Sequence, residues 1–278
     1  MSTRITTLVE NHKGEHLTLH EEHGVSFLIE HNGTTVLFDT GQSDAFLKNA
    51  AIMRKDLRSI SEVVLSHGHY DHTNGLPYLV EAGFSQFTLN VHERFFDEKL
   101  ATDGLSTTYL GPSWDQEWCE THGIALRTIR GEGTQIAPGI HVITGFLRNR
   151  ELEVNNPRFI VNRPGASAPE IDDFRDEVSL VIESGEGLIV LVGCSHPGIM
   201  NILDTVNERF EAPIHTVLGG THLVEAEGTR LQDALQNLQG ATIHRLGLSH
   251  CTGDIAMDLL ERQSSVFFRN VTGTTIEV

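Results

Sequence analysis

The run Ser66-His67-Gly68-His69-Tyr70-Asp71-His72 puts four side chains able to bind a metal within six residues. His67 and His69 lie two apart, so an extended chain end aims both imidazoles the same way. Asp71 and His72 then turn toward a second point. Imidazole with carboxylate suits zinc, iron or manganese better than calcium or magnesium. A lone His-x-His is usually structural. The full His-x-His-x-Asp-His directly after the apolar Val63-Val64-Leu65 is far more specific, because buried groups of this kind need a compensating partner. Metal so held acidifies water and stabilises developing negative charge.

Such a run needs strands that deliver it and helices that cover them. β-Branched apolar runs alternate with helical patterns along the chain, which predicts sheet layers covered by helices. Early strands are expected at 4–9, 16–20, 25–31 and 34–38, with Asn32-Gly33 as a hairpin turn. A helix fits 43–51, a strand 63–65, a helix 75–82 and a strand 87–91. Later strands fit 178–183, 188–193, 214–218 and 242–248, with helices near 198–209, 229–239 and 254–262. Short strands near 266–270 and 274–277 close the chain. The segment 145–176 stands apart as a long polar loop with Pro157, Pro164 and Pro169. Loops of this length within a compact unit are usually functional or disordered. It carries Arg148, Arg150, Arg158, Arg163 and Arg175, five of the chain's 20 basic residues. They read either as a solvated excursion or as a lid offering guanidinium groups to an anionic substrate. The expectation is one domain over 1–278, with 145–176 as an active-site loop.

The formal charge of −18 argues against nucleic acid and anionic membranes as partners. No apolar run approaches the roughly 18 residues of a membrane span. Residues 1–10 lack a charged-then-apolar leader pattern, which predicts a cytoplasmic protein. Cys119, Cys194 and Cys251 are odd in number and scattered, so they form no disulfide framework.

His67, His69, Asp71 and His72 match the ligand motif of the metallo-β-lactamase superfamily without gaps, and the chain resembles that family. Glu22-His23-Gly24-Val25-Ser26, Gly193-Cys194-Ser195-His196-Pro197-Gly198-Ile199, Gly219-Gly220-Thr221-His222-Leu223 and Ser249-His250-Cys251-Thr252-Gly253 are similar to its branch of dihydropterin-ribofuranosylaminobenzene phosphate synthase-like metal-dependent hydrolases. The resemblance implies an α/β fold, the αββα sandwich, and a site that usually holds two divalent metals, zinc foremost, with iron or manganese as alternatives. Leu37-Phe38-Asp39-Thr40-Gly41 is similar to the family's earlier motif, in which the aspartate orients a ligand histidine. Asp39 also reads as a turn former before Gly41.

The remaining ligands depart from the family's usual set. His250, after a late strand, is the natural final ligand of the second metal. Glu177 stands where a mid-chain histidine is expected, and it either ligates or starts a strand. Cys194 stands where a bridging aspartate often sits. Thiolate binds zinc, and cysteine is also a common small buried residue. His196 is the preferred missing ligand of the first site, over a role capping the helix near Pro197. The expected sets are therefore His67, His69 and His196 for one metal, and Asp71, His72 and His250 for the other. Asp71 would also orient the nucleophile. The resemblance suggests His222 as a proton donor to the leaving group; a surface histidine at a strand end is the alternative. His12, His16, His20, His23, His31, His92, His122, His141, His215 and His244 lack ligand-like spacing, with Glu22-His23 the foremost exception.

These readings imply a metal-dependent hydrolase of a small phosphorylated or carbonyl substrate (ester, lactone or phosphodiester) that uses a metal-activated water. Two alternatives stand beside it. One is a synthase joining a dihydropterin methyl diphosphate to an aminobenzene ribofuranosyl phosphate. The other is a non-catalytic metal-binding sensor.

Overall fold

The computed structural model describes residues 2–278. Two seven-stranded sheets form the middle of the molecule. The first runs in the order Thr275–Glu277, Thr3–Val9, Ser26–His31, Thr34–Phe38, Ile60–Val64, Thr88–His92, Ala125–Ile129. The second runs Phe267–Arg269, Arg245–Leu248, Ile214–Gly219, Gly187–Val192, Ser179–Ser184, Ile140–Ile143, Gly133–Ala137.

Their inner faces meet through Phe27, Ile29, Val36, Phe38 and Val64 on one side and Leu180, Ile182, Ile189, Leu191 and Leu218 on the other. The outer face of the first sheet packs Leu37, Val63 and Leu89 under Phe46, Leu76 and Leu79 of two short helices. The outer face of the second packs Leu188, Val190 and Val192 under the helices Ile199–Arg209, Gly228–Gly240 and Asp254–Gln263. A strand such as Gly187–Val192 is thus covered on both faces. That explains its unbroken apolar run, where a half-exposed strand would alternate. The layers are helix, sheet, sheet, helix, which is the αββα sandwich.

The strands that feed the site lie in parallel pairs. Thr34–Phe38 pairs with Ile60–Val64, and Gly187–Val192 with Ile214–Gly219, which pairs in turn with Arg245–Leu248. The loops leaving their C-terminal ends carry Asp39, residues 66–72, 193–196, 220–222 and 249–250. Open α/β sheets commonly bind ligands at these carboxyl ends.

Two segments differ from expectation. Residues 16–20 form turns and no strand. Leu17 and Leu19 alternate with polar residues in sequence, and a strand would place both on one face, yet Leu19 is buried and Leu17 is 84% exposed. The amide of Leu19 goes to the carbonyl of His16, and His20 is held by the Asn49 side chain. With its amides so engaged, the segment offers no ladder to a neighbouring strand. The segment 145–176 contains the strands Phe159–Asn162 and Glu170–Ile171. They join Glu98–Thr102 and Thr107–Tyr109 in a small four-stranded sheet.

Four of the five arginines in this segment are engaged by the protein's own groups: Arg150 and Arg163 reach residues outside it, and Arg148 and Arg175 bind within it. Arg150 pairs with Asp204, Arg163 with Asp97, Glu170 and Asp173, and Arg175 with Asp173, while Arg148 donates to the carbonyl of Asp173. Arg158 differs. It pairs with Glu225, lies 4.1 Å over the Phe159 ring, and lines the cavity described next.

Candidate metal centre

The loop 66–72 leaves the strand Ile60–Val64 extended and then turns into one helical turn, Tyr70–Thr73. His67 and His69 sit on the extended part, and Asp71 and His72 on the turn. His67 and His72 are fully buried, and His69 and Asp71 nearly so. The ligand atoms of His67, His69 and His196 lie within 4.8 Å of one another. Beside them, Asp71 Oδ2 is 3.2 Å from His250 Nε2 and 3.6 Å from His72 Nε2. His67, His69 and His196 thus converge, and Asp71 stands beside both His72 and His250.

Hydrogen bonds fix which ring atom of His67, His72 and His250 faces inward. His72 Nδ1 lies 2.7 Å from Asp39 Oδ2 and His250 Nδ1 lies 2.9 Å from Asn11 Oδ1, so both donate there. The Ser66 hydroxyl donates to Asp39 at 2.7 Å and accepts from His67 Nδ1 at 3.0 Å. Asp39 thus orients one histidine directly and another through Ser66. The Nε2 atoms of these three are left free of such supports. His67 Nε2, His196 Nε2 and His250 Nε2 are buried without a hydrogen-bond partner.

Burial holds His67 and His196 well below the usual histidine range, and brings His69 to about 3 and His250 to about 4. These rings are neutral and carry free lone pairs. For His72 burial works in the same direction, but the carboxylates of Asp39 and Asp71 override it and raise the ring to about 9. Asp71, despite its burial, is held well below the carboxylate range by His72 and His250. His250 Nε2 faces the Asp71 carboxylate oxygen at 3.2 Å. A divalent cation would satisfy this oxygen and the unpartnered Nε2 atoms of His67, His196 and His250. The donor set therefore fits divalent metal.

Outer supports complete the frame. Glu177, fully buried and raised by burial to about 8, accepts the amides of Ser195 and His196 at 2.6 and 2.9 Å. It holds the loop that carries His196 and stands in none of the ligand groups among the described residues. Phe174 stacks on His196 with centroids 3.8 Å apart. Asp176 accepts the Gly68 amide between the two histidines and pairs with Lys99. Asp39, Ser195, His222 and His250 all have positive φ, between 48° and 58°. Such backbone persists only where surrounding structure enforces it, commonly at functional sites. At Gly220 an added Cβ would collide with Cys251 Sγ and the Gly193 carbonyl, so the two loops approach only because that side chain is missing.

Three placements stand out against the sequence reading. His23 Nε2 is 3.2 Å from Asp71 Oδ2, which brings the foremost exception among the ten histidines to the site. The other nine join no ligand group among the described residues. Cys194, weighted below His196 from sequence, lies centrally, with Sγ 3.2 Å from His72 Nε2. His222 lies beside His196, at 4.3 Å between centroids, and near Phe159. A cavity of about 250 Å³ opens over these groups, lined also by Tyr70, Leu110, Arg158 and Val224. The Lys99 and Phe174 contacts had no local signal, since both depend on the small sheet folding over the site.

Outer-shell partners typically contribute 10–100-fold to metal affinity. Asp39→Asn should accordingly weaken binding by about that factor while the fold is kept, as read by titration against a competing chelator. An unchanged affinity would remove Asp39 from this role.

A family model described as the metallo-beta-lactamase superfamily matches residues 21–210. The chain belongs to this superfamily. Its members typically bind divalent metal ions, in agreement with the ligand groups found here. A solved structure titled Tm1679, a metal-dependent hydrolase of the beta-lactamase superfamily, is 30% identical, with 99% of each chain covered and a TM-score of 0.85. A 7,8-dihydropterin-6-methyl-4-(beta-D-ribofuranosyl)-aminobenzene-5'-phosphate synthase of Methanocaldococcus jannaschii is 27% identical over 261 residues, covering 90% of this chain and 87% of that protein. The Zn(2+)-bound PqqB of Methylobacterium extorquens shares the fold at 15% identity, with a TM-score of 0.57 and coverage of 99% of this chain and 100% of that chain. No helix among the described residues is long and apolar enough to cross a membrane.

Proposed function

We propose that this protein is a metal-dependent hydrolase of a small, anionic, phosphorylated or carbonyl substrate: an ester, lactone or phosphodiester. The observation that carries this reading is the convergence of two adjacent sets of buried, inward-facing ligand atoms beneath a small cavity. His67, His69 and His196 would hold one divalent ion, and Asp71, His72 and His250 the other, with zinc foremost. Ions at these positions supply Lewis acidity, which acidifies water and neutralises charge on attacking and leaving oxygens.

The chain's own groups do the rest. The second oxygen of Asp71 orients the attacking water by accepting its hydrogen bond. Arg158, held over Phe159, offers positive charge to an anionic substrate at the cavity mouth. His222 is brought by burial to about 4 and is therefore a neutral ring. It offers an N–H to the leaving-group oxygen. Phe159 and Val224 give the cavity apolar walls beside the reacting centre.

Removing one hydrogen-bond donor to developing negative charge typically costs 10²–10³-fold, so His222→Ala should lower kcat by about a hundredfold or more on poor leaving groups. A nitrophenolate leaving group should suffer much less. Equal losses on both would remove His222 from leaving-group stabilisation.

The named relative of Methanocaldococcus jannaschii, alike over nearly the whole chain, supports a second reading. In it, an arylamine displaces diphosphate from a dihydropterin methyl diphosphate, and Arg158 assists the departing anion. Mass spectrometry of a mixture of the two substrates separates the readings. A coupled pterin product supports the synthase. Diphosphate release without coupling, with turnover of generic esters or phosphodiesters, supports the hydrolase.

A further inference from the structure

We propose that Cys194 is itself a metal ligand, its sulfur bridging the two ion positions. The proposal rests on the dinuclear reading above. Cys194 follows the buried strand Gly187–Val192 and is 3% exposed. Its Sγ and the ligand atoms of His67 and His72 form one group within 4.8 Å, and its Sγ with those of His250 and Cys251 forms another. His67 belongs to the first ligand set, and His72 and His250 to the second. A donor that reaches members of both sets lies between them.

A small core thiol would pack against aliphatic side chains. Cys194 instead faces imidazoles, with His72 Nε2 at 3.2 Å. Cys251 is the neighbour that could be mistaken for the ligand, and its contacts differ. Its Sγ faces the Cys194 carbonyl at 3.6 Å and accepts the His222 amide at 3.3 Å. It fastens the loop 220–222 to the loop 193–196 by bonds to their backbones.

Ligation exchanges the Cys194 proton for a sulfur–metal bond, and the proton leaves to solvent. A thiolate is a soft donor, so this centre should favour zinc over manganese or magnesium more strongly than a bridging carboxylate would. The negative charge a bridge must supply between two cations is then carried by sulfur.

The test loads the whole protein with cobalt(II) and records its spectrum. Visible ligand-field bands report uptake by the histidine sets, and a near-ultraviolet sulfur-to-cobalt charge-transfer band reports the thiolate. The wild type and Cys251→Ser should both show the charge-transfer band. Cys194→Ser should lose it and keep the visible bands. Persistence in Cys194→Ser, or loss in Cys251→Ser with retention in Cys194→Ser, overturns the proposal. X-ray absorption on the zinc-loaded wild type needs no variant and covers the case in which Cys194→Ser fails to fold. A sulfur shell at about 2.3 Å is expected beside nitrogen and oxygen at about 2.0–2.2 Å. Nitrogen and oxygen alone, with two zinc ions bound, would reject the bridging sulfur and leave the dinuclear hydrolase standing. No metal uptake would reject both.

Discussion

Asp71→Ala should lower turnover by about a thousandfold and leave one ion per chain, exceeding the roughly 10–100-fold cost of losing an outer-shell partner. The size follows from how many functions meet at this carboxylate. Its Oδ2 lies within 3.6 Å of His72, His250 and His23. Without its charge, three imidazoles lose the anion they share, and a second cation loses the only carboxylate in its donor set. The substrate's attacking water also loses its orienting acceptor. His67→Ala should act on the other set, reducing metal and turnover together. Atomic emission analysis beside a phosphodiester assay reads both quantities. Full turnover by a variant verified to be metal-free would contradict the assignment.

Lys99→Met should destabilise the fold by about 3–5 kcal/mol, the usual consequence of removing one partner from a buried ion pair. Lys99 is 2% exposed, and its ammonium lies 2.6 Å from Asp176 and 2.9 Å from Asp172, both essentially inaccessible to water. Burial alone would lower the lysine's pKa, yet the two carboxylates raise it above the ordinary lysine range. The amine is therefore charged, and its removal strands two buried acids. The consequence reaches the centre because Asp176 also accepts the Gly68 amide at 2.9 Å, between His67 and His69. Urea unfolding should show the loss, and adding Asp176→Asn to Lys99→Met should recover part of it by removing one stranded charge. A single-variant loss below about 1 kcal/mol, the range of exposed pairs, would mean that the acids find other compensation.

The legible part of this protein is the part encoded locally. His67, His69, Asp71 and His72 fall in one loop after one apolar strand, so their convergence needs little more than strand direction and a turn. The two-sided burial of Gly187–Val192 likewise shows in its own five consecutive apolar residues. What escaped depends on distant pairing. Glu98–Thr102 meets Phe159–Asn162 across a long separation in sequence, and both strands are short and half-exposed, so neither carries a strong pattern. The small sheet they form brings Lys99 and Phe174 against the site, and salt bridges engage most of the arginines that read as a lid. Residues 16–20 show the opposite failure, an alternating pattern whose backbone is committed to turns. Glu177 and Cys194 look equally eligible as ligands in one dimension. Only the fold separates them, by giving the Glu177 carboxylate two backbone amides and leaving the Cys194 sulfur among imidazoles.

The most direct test of the central claim is the number of metal ions per chain, measured by mass spectrometry on protein purified without added metal and again after equilibration with zinc. Two equivalents per chain, lost in step with turnover on chelation and restored together, is the predicted result. One equivalent or none after equilibration with excess zinc would contradict the paired sets of His67, His69 and His196 with Asp71, His72 and His250.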